Sequence, residues 1–266
     1  MRSLQILRRF FFFSGAVSFF NISLLSVFSC AGDDMGIFVY MPAIVANAGS
    51  SPLFYGQAHR GQYHLGPVDF AETKWHNACA PAGGYRSELH KCTGLGSEYL
   101  AGVSYYYSGG GAVCDRCIFI RTGKGKEITA RVVTYGATGR NDIDVSPSVY
   151  AALNEGEYPR EMTWQFVKCP KTGFIQYEFQ TAASIWWSSL WVRNARVPIK
   201  KVEVKSQKHT DYYRLRQGSD GTFTDSGGFG AGPFTLRVTA IDGQVVEKLF
   251  NDFPTGQLVK STNQFK

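Results

Sequence analysis

The chain is 266 residues long, carries a net charge of +7 and is 44% hydrophobic. That length suits two domains of ordinary size, and the apolar share is enough to pack a core in each. The basic residues are scattered, with no run longer than Lys200-Lys201, so a nucleic-acid-binding arm is not expected; an anionic membrane or an acidic polysaccharide such as pectin suits the charge better.

With 29 glycines, 15% aromatic residues and few apolar repeats at helical spacing, the composition predicts a mostly β protein with many turns. Arg2, Arg8 and Arg9 precede an apolar stretch from Phe10 to about Phe28, followed by the small residues Ser29-Cys30-Ala31-Gly32. This order matches a secretory signal peptide over residues 1–31, cut before Gly32. An uncleaved anchor, a cut before Cys30 and a cut after Ala48 are the alternatives. Residues 32–50 read as a linker or pro-segment.

Export to an extracellular location places the chain where cysteines pair. Once Cys30 leaves with the signal, Cys79, Cys92, Cys114, Cys117 and Cys169 remain. Five cysteines predict two disulfides and one free thiol, in a connectivity that spacing leaves open. The pair Cys114 and Cys117 is followed by a strand rather than by the helix of a redox motif, and no paired His/Cys set completes a zinc site. Disulfide use is the expectation. No metal and no organic cofactor are expected, since a nucleotide-binding glycine loop is also missing.

From Phe54-Tyr55-Gly56 onward, short strand-like pieces alternate with glycines. Cys117 to Arg121 and Ile128 to Thr134 predict a hairpin around the turn Thr122-Gly-Lys-Gly125. Ser146 before Pro147 predicts a short helix to Leu153, with serine as N-cap and proline as first helical residue. Trp164 to Cys169 reads as a closing strand. Beyond Gly173, alternation predicts strands at Ile175–Phe179, Leu190–Val192, Val202–Val204, Phe234–Ile241 and Val245–Phe250, with an Asp242-Gly243 hairpin between the last two. So many strands in so short a stretch predict a β-sandwich.

Several of these pieces together resemble the expansins. Asp142 to Leu153 resembles the family's Asp-Leu-Ser-Pro helix start, and Trp164 to Pro170 its barrel-closing strand. Ile185 to Asn194 is similar to the family's Trp-Trp strand with Val-Arg-Asn, and Leu236 to Val246 to its last hairpin. The resemblance runs from about residue 51 to the C-terminus. It implies an all-β chain: a six-stranded double-psi β-barrel over 51–169, followed by an immunoglobulin-like β-sandwich over 170–266 that binds carbohydrate. It also implies barrel roles for Cys114, Cys117 and Cys169, and a monomer that loosens cellulose and associated wall polymers without hydrolysis.

The resemblance places Asp144 in the polysaccharide groove, at the position of the general acid of related endoglucanases; capping of the helix is its structural alternative. Inverting hydrolysis needs a second carboxylate. The strand before Asp144 reads Val132-Val-Thr-Tyr135, with no acid, although Tyr135 offers a hydroxyl to sugar. Leu53 replaces the family's groove threonine ahead of Tyr55-Gly56, with Tyr55 kept as a groove aromatic. Asp142 is the only local substitute, on the same strand face as Asp144, and reads better as a turn residue. A weak endoglucanase using Asp144 with Asp142, or a wall-binding protein with an inert barrel, are the competing readings. In the sandwich, Trp186 and Trp187 match the aromatics that stack on glucan rings. Strict alternation exposes only one of two neighbours, so a shared platform requires an irregularity. The family's third aromatic is missing near Ser219 and Asp220, and Trp191 is expected to replace it, facing outward about 13 Å along the strand from Trp187.

Overall fold

The computed structural model describes residues 54–60, 78–80, 99–153, 160–170 and 173–266. The signal, the linker and Cys92 fall outside them. Six strands, β1 (Phe54–Arg60), β2 (Leu100–Ser104), β3 (Cys117–Thr122), β4 (Glu127–Gly136), β5 (Ile143–Val145) and β6 (Arg160–Val167), close into a barrel in the order β1-β5-β2-β4-β3-β6. Two pairs, β1 with β5 and β2 with β4, run parallel, and the others are antiparallel. The β3–β4 hairpin forms where its turn residues predict it. Gly125 there takes φ +88°, a backbone conformation that costs glycine nothing. The single described helix, α1 (Pro147–Ala152), starts as expected: the Ser146 hydroxyl accepts from the Val149 amide. Val103, Ile118, Ile120, Val132, Ile143, Val145, Leu153 and Trp164 pack the barrel interior.

The second half is a sandwich. One sheet orders β10 (Tyr213–Arg214), β9 (Ile199–Ser206), β13 (Phe234–Ala240) and β14 (Val245–Phe250). The other orders β11 (Arg216–Gln217), β12 (Phe223–Asp225), β8 (Ser188–Arg193), β7 (Gln176–Phe179) and β15 (Leu258–Lys260). Period-two patterning is clearest on β13, where Phe234, Leu236, Val238 and Ala240 are buried and the residues between them are half-exposed. Phe234 and Phe250 are cross-strand partners whose rings stack at 4.9 Å, inside a cluster with Phe179, Phe229 and Phe253.

Two disulfides, Cys79–Cys114 and Cys117–Cys169, brace the barrel. The cysteines of the C-x-x-C segment therefore pair outward rather than with each other.

The halves dock through the outer face of the five-stranded sheet. Arg193 on β8 is fully buried, donating from Nε to Glu178 at 2.8 Å and from Nη1 to the barrel's Asp115 at 2.5 Å and Cys79 carbonyl at 2.9 Å. The Tyr135 hydroxyl donates to the Ser219 carbonyl, and the Cys169 amide to the Arg196 carbonyl. Leu258 adds an apolar contact on Leu100, Val133 and Cys79. Backbones approach closely at Gly111, where a Cβ would collide with the Gly218 carbonyl, and at Gly221, where one would lie 2.7 Å from the Cys114 Cβ.

Candidate functional site

Trp186 and Trp187 follow a tight reversal that begins at Ser184. The Ser184 amide donates to the Trp187 carbonyl at 2.7 Å, and its hydroxyl accepts from both tryptophan amides at 3.3 Å. Ile185 and Trp186 are turn residues, so strand alternation does not govern them; this is the irregularity that the adjacent pair requires. Gly228 takes φ +74° against this turn, where any Cβ would strike the Ile185 carbonyl, and the Gly230 amide donates to that same oxygen. The turn is therefore pinned from below. Trp186 is 75% exposed and Trp187 half-buried beside it.

Trp191 departs from expectation. Its parity is as read, opposite the core-facing Leu190 and Val192, yet it is only 3% exposed. The face it occupies is the one onto which the barrel docks. Its indole N–H donates to the Asp220 carbonyl at 2.9 Å, and the Arg193 guanidinium lies 4.9 Å from its ring centre. The loop that lacks the third aromatic thus binds Tyr135 through one carbonyl and Trp191 through the next. Outward from a sheet is not outward from the molecule when a second domain covers that sheet.

On the barrel, Ile143 and Val145 point into the core, so the half-buried Asp144 between them faces away from it. Its neighbours in register are His59 on β1 and Gly102 on β2, and Gly102 in turn pairs with Thr134 on β4. Asp144 and Thr134 flank a residue without a side chain, roughly two strand spacings or about 10 Å apart. The Asp142 carboxyl turns back against Gly139, in the loop whose reversal the Asp142 amide closes on the Gly139 carbonyl. It is the turn residue the sequence favoured. Tyr55 sits on β1 opposite Thr163. Tyr135 gives its hydroxyl proton to the interdomain bond rather than leaving it for a ligand.

Sequence reasoning missed Tyr105 and Tyr106, which follow β2 on a 3-10 turn and are 60% and 61% exposed. The Tyr105 ring meets Tyr135 edge-on at 5.7 Å, and Arg140 stacks on Tyr106 at 3.8 Å. The signal was present: three successive tyrosines leading into Ser108-Gly-Gly-Gly111. Tyr107, by contrast, is anchored to Asn141 and to the edge of Trp164.

On the far face of the sandwich, Glu247 accepts from Arg237 at 2.6 Å and from the Tyr212 hydroxyl at 2.9 Å. The Arg237 bond, then that of Tyr212, holds its carboxyl below the usual carboxylate range. Among the described residues no group of three or more His, Cys, Asp or Glu side chains is arranged to hold a metal ion.

A closed barrel docked on a two-sheet sandwich, with tryptophans raised on a pinned turn, defines a class of two-domain all-β proteins. Residues 173–266 match the expansin-like protein middle domain. Expansin-YoaJ of Bacillus subtilis is 28% identical over 132 residues, 49% of this chain and 56% of that protein, so the match spans little more than half of that relative. Expansin-like protein 5 of Dictyostelium discoideum is 23% identical over 65% of this chain and 75% of its own. Among solved structures, the expansin of Clavibacter michiganensis superposes with a TM-score of 0.67 at 19% identity, over 81% of this chain and 98% of that one. A mutant of that expansin, solved in complex with cellohexaose, gives 0.66 at 18%. Residues 173–266 thus carry the expansin-like middle domain, and the chain is similar to expansins across both halves.

Proposed function

We propose that this protein binds cellulose and associated matrix polymers of the cell wall and loosens their network without cutting it. The observation that carries the reading is Trp186, a large apolar ring three-quarters exposed yet held on a turn that the glycines at 228 and 230 fix from beneath. An exposed indole carried on a fixed backbone leaves only its own side-chain freedom to lose on binding, and a flat apolar ring suits the C–H faces of β-linked glucose. Trp187 extends that surface. Asp144 on the barrel supplies a polar contact to the same polymer, with Tyr55 on β1 as a further groove residue, and Tyr105 and Tyr106 enlarge its aromatic share.

Hydrolysis is disfavoured because cleavage with inversion needs a second carboxylate about 6.5–9.5 Å from the acid, and Asp142 is committed to its own turn. The relatives' names and the cellohexaose complex of the Clavibacter protein support the substrate class. The two disulfides fit a secreted protein. The decisive experiment pairs cellulose pull-down with reducing-end release and a paper-weakening assay. Binding and weakening without new reducing ends is the expected result; new reducing ends lost on Asp144→Asn would make the protein an endoglucanase.

A further inference from the structure

We infer that Arg193 and Asp115 form a clamp that fixes the angle between barrel and sandwich, so that the Asp144 face and the Trp186–Trp187 turn act on one polysaccharide chain as a single surface. The inference rests on the polysaccharide-binding reading above and adds to it the residues that make two half-sites one.

Arg193 lies on the same strand face as Trp187 and Trp191, with Trp191 between it and the exposed turn. A strand rise of about 3.3 Å per residue puts Arg193 roughly 20 Å along β8 from Trp187. One end of the strand therefore carries the aromatic surface and the other the joint. At the joint the guanidinium is fully buried and splits its donors between two bodies: Nε to Glu178 within the sandwich, Nη1 to Asp115 and the Cys79 carbonyl of the barrel. A planar fork that satisfies three acceptors at once admits a narrow range of orientations, which a non-directional apolar contact does not.

The barrel side is equally fixed. Asp115 takes φ +62°, and its flanking segment is tied at both ends, Cys114 to Cys79 and Cys117 to Cys169. The Cys79–Cys114 bond also holds the carbonyl that accepts from Arg193. Arg131 approaches Asp115 at 3.9 Å from within the barrel, balancing the carboxylate before docking. Among the described residues the other interdomain contacts include Tyr135 to Ser219, Cys169 to Arg196, Lys168 to Asp242 at 3.8 Å, the close backbone approach at Gly111 and Gly221, and Leu258 over a small apolar cluster. None of them is a fully buried charge pair, and without the clamp they are expected to keep the domains together while letting the angle vary. Two half-sites held rigidly present the second to a bound chain at high effective concentration, and avidity gains of about 10²–10⁴ follow only when geometry permits both to engage.

The test uses Asp115→Gly and Asp115→Asn in the full chain. Glycine keeps the left-handed backbone and deletes the barrel's carboxylate, while Arg193 retains Glu178. Asparagine keeps the same backbone and one acceptor. Residual dipolar couplings report domain orientation; calorimetric titration compares cellobiose with a long soluble β-glucan. The wild-type protein should fit one alignment tensor. Asp115→Gly should need two, lose about tenfold or more in affinity for the long glucan, and bind cellobiose as before. Asp115→Asn should fall between.

A single unchanged tensor in Asp115→Gly overturns the clamp, and so does a second tensor with undiminished long-chain affinity. A merely destabilising substitution would instead weaken both sugars and lower the unfolding temperature together, which also counts against the proposal. If Asp115→Gly does not fold, the same comparisons are made on Asp115→Asn with the same criteria. Wild-type protein that binds neither sugar would sink the polysaccharide reading, while the tensors would still judge the clamp.

Discussion

Truncating Trp191 to alanine removes an indole that is 3% exposed, bonded to the Asp220 carbonyl and stacked near the Arg193 guanidinium. Loss of a buried aromatic of this size costs about 3–5 kcal/mol, and the orphaned Asp220 carbonyl adds about 1 kcal/mol. For a chain of this length each kcal/mol lowers the melting temperature by about 2–4 °C, so the midpoint should fall by roughly 8–24 °C. Trp186 is the contrasting case. At 75% exposure its removal should change stability by no more than about 0.5 kcal/mol. It should nevertheless weaken cellulose binding roughly five- to thirty-fold, the equivalent of about 1–2 kcal/mol. Thermal denaturation and cellulose pull-down on the same two variants decide the matter. A Trp191→Ala protein that melts like the wild type but no longer binds would show that the indole meets sugar, and would refute the docking argument.

If stacking on Trp186 carries binding, as proposed, Asp144→Asn should abolish most paper-weakening while leaving cellulose pull-down within about twofold; equal loss of both would put Asp144 in the binding step itself. On the proposed reading pectin would be held by exposed cations such as Lys205 and Arg214, and that binding should fall steeply between about 0.05 and 0.5 M salt as the screening length shrinks, whereas cellulose binding should hold. Since the Glu247 carboxyl is depressed in the folded protein by Arg237 and Tyr212, its contribution is present above the unfolded value near 4.3 and is lost as pH falls through the lower folded one. Glu247→Gln should therefore flatten the acid limb of the stability curve below about pH 4.3, by a few tenths of a kcal/mol given its exposure, and a wild-type slope retained in that variant would show that the pair does nothing for stability.

Much of the architecture could be read from local chemistry. Gly125 between two apolar runs, Ser146 ahead of Pro147, and the strict alternation of Phe234 to Ala240 each specify one element, and each element formed. The resemblance to expansins added the order in which they assemble. Legibility failed where a residue's surroundings come from distant chain. Trp191 has the parity of a surface residue, yet the Asp220 loop and the Arg193 guanidinium close on it at the docking face. The Trp186–Trp187 pair required an irregularity, but its form, a turn held by Gly228 and Gly230 more than forty residues on, has no local signature. The strands β10, β11 and β12 are two or three residues long, too short to show a period. Tyr105 and Tyr106 were overlooked because aromatic residues in β-rich chains usually pack inside, and only a 3-10 turn at the end of β2 carries them out.

Both described disulfides lie on the barrel side of the chain, whereas the sandwich closes on an apolar core of aliphatic and phenylalanine side chains. The two halves therefore mature under different requirements. The sandwich needs no oxidant, but until the barrel is complete it displays Arg193 and Trp191 on an unfinished surface. The barrel cannot present Asp115 and the Cys79 carbonyl in place before its sulfurs are joined. Oxidation thus governs more than the half that contains the cysteines: it sets the moment at which a cation and an indole on the other half leave water. A cell that made this chain without oxidising it would be expected to accumulate a sandwich whose docking face, with Trp191 and the Arg193–Glu178 pair, stayed uncovered.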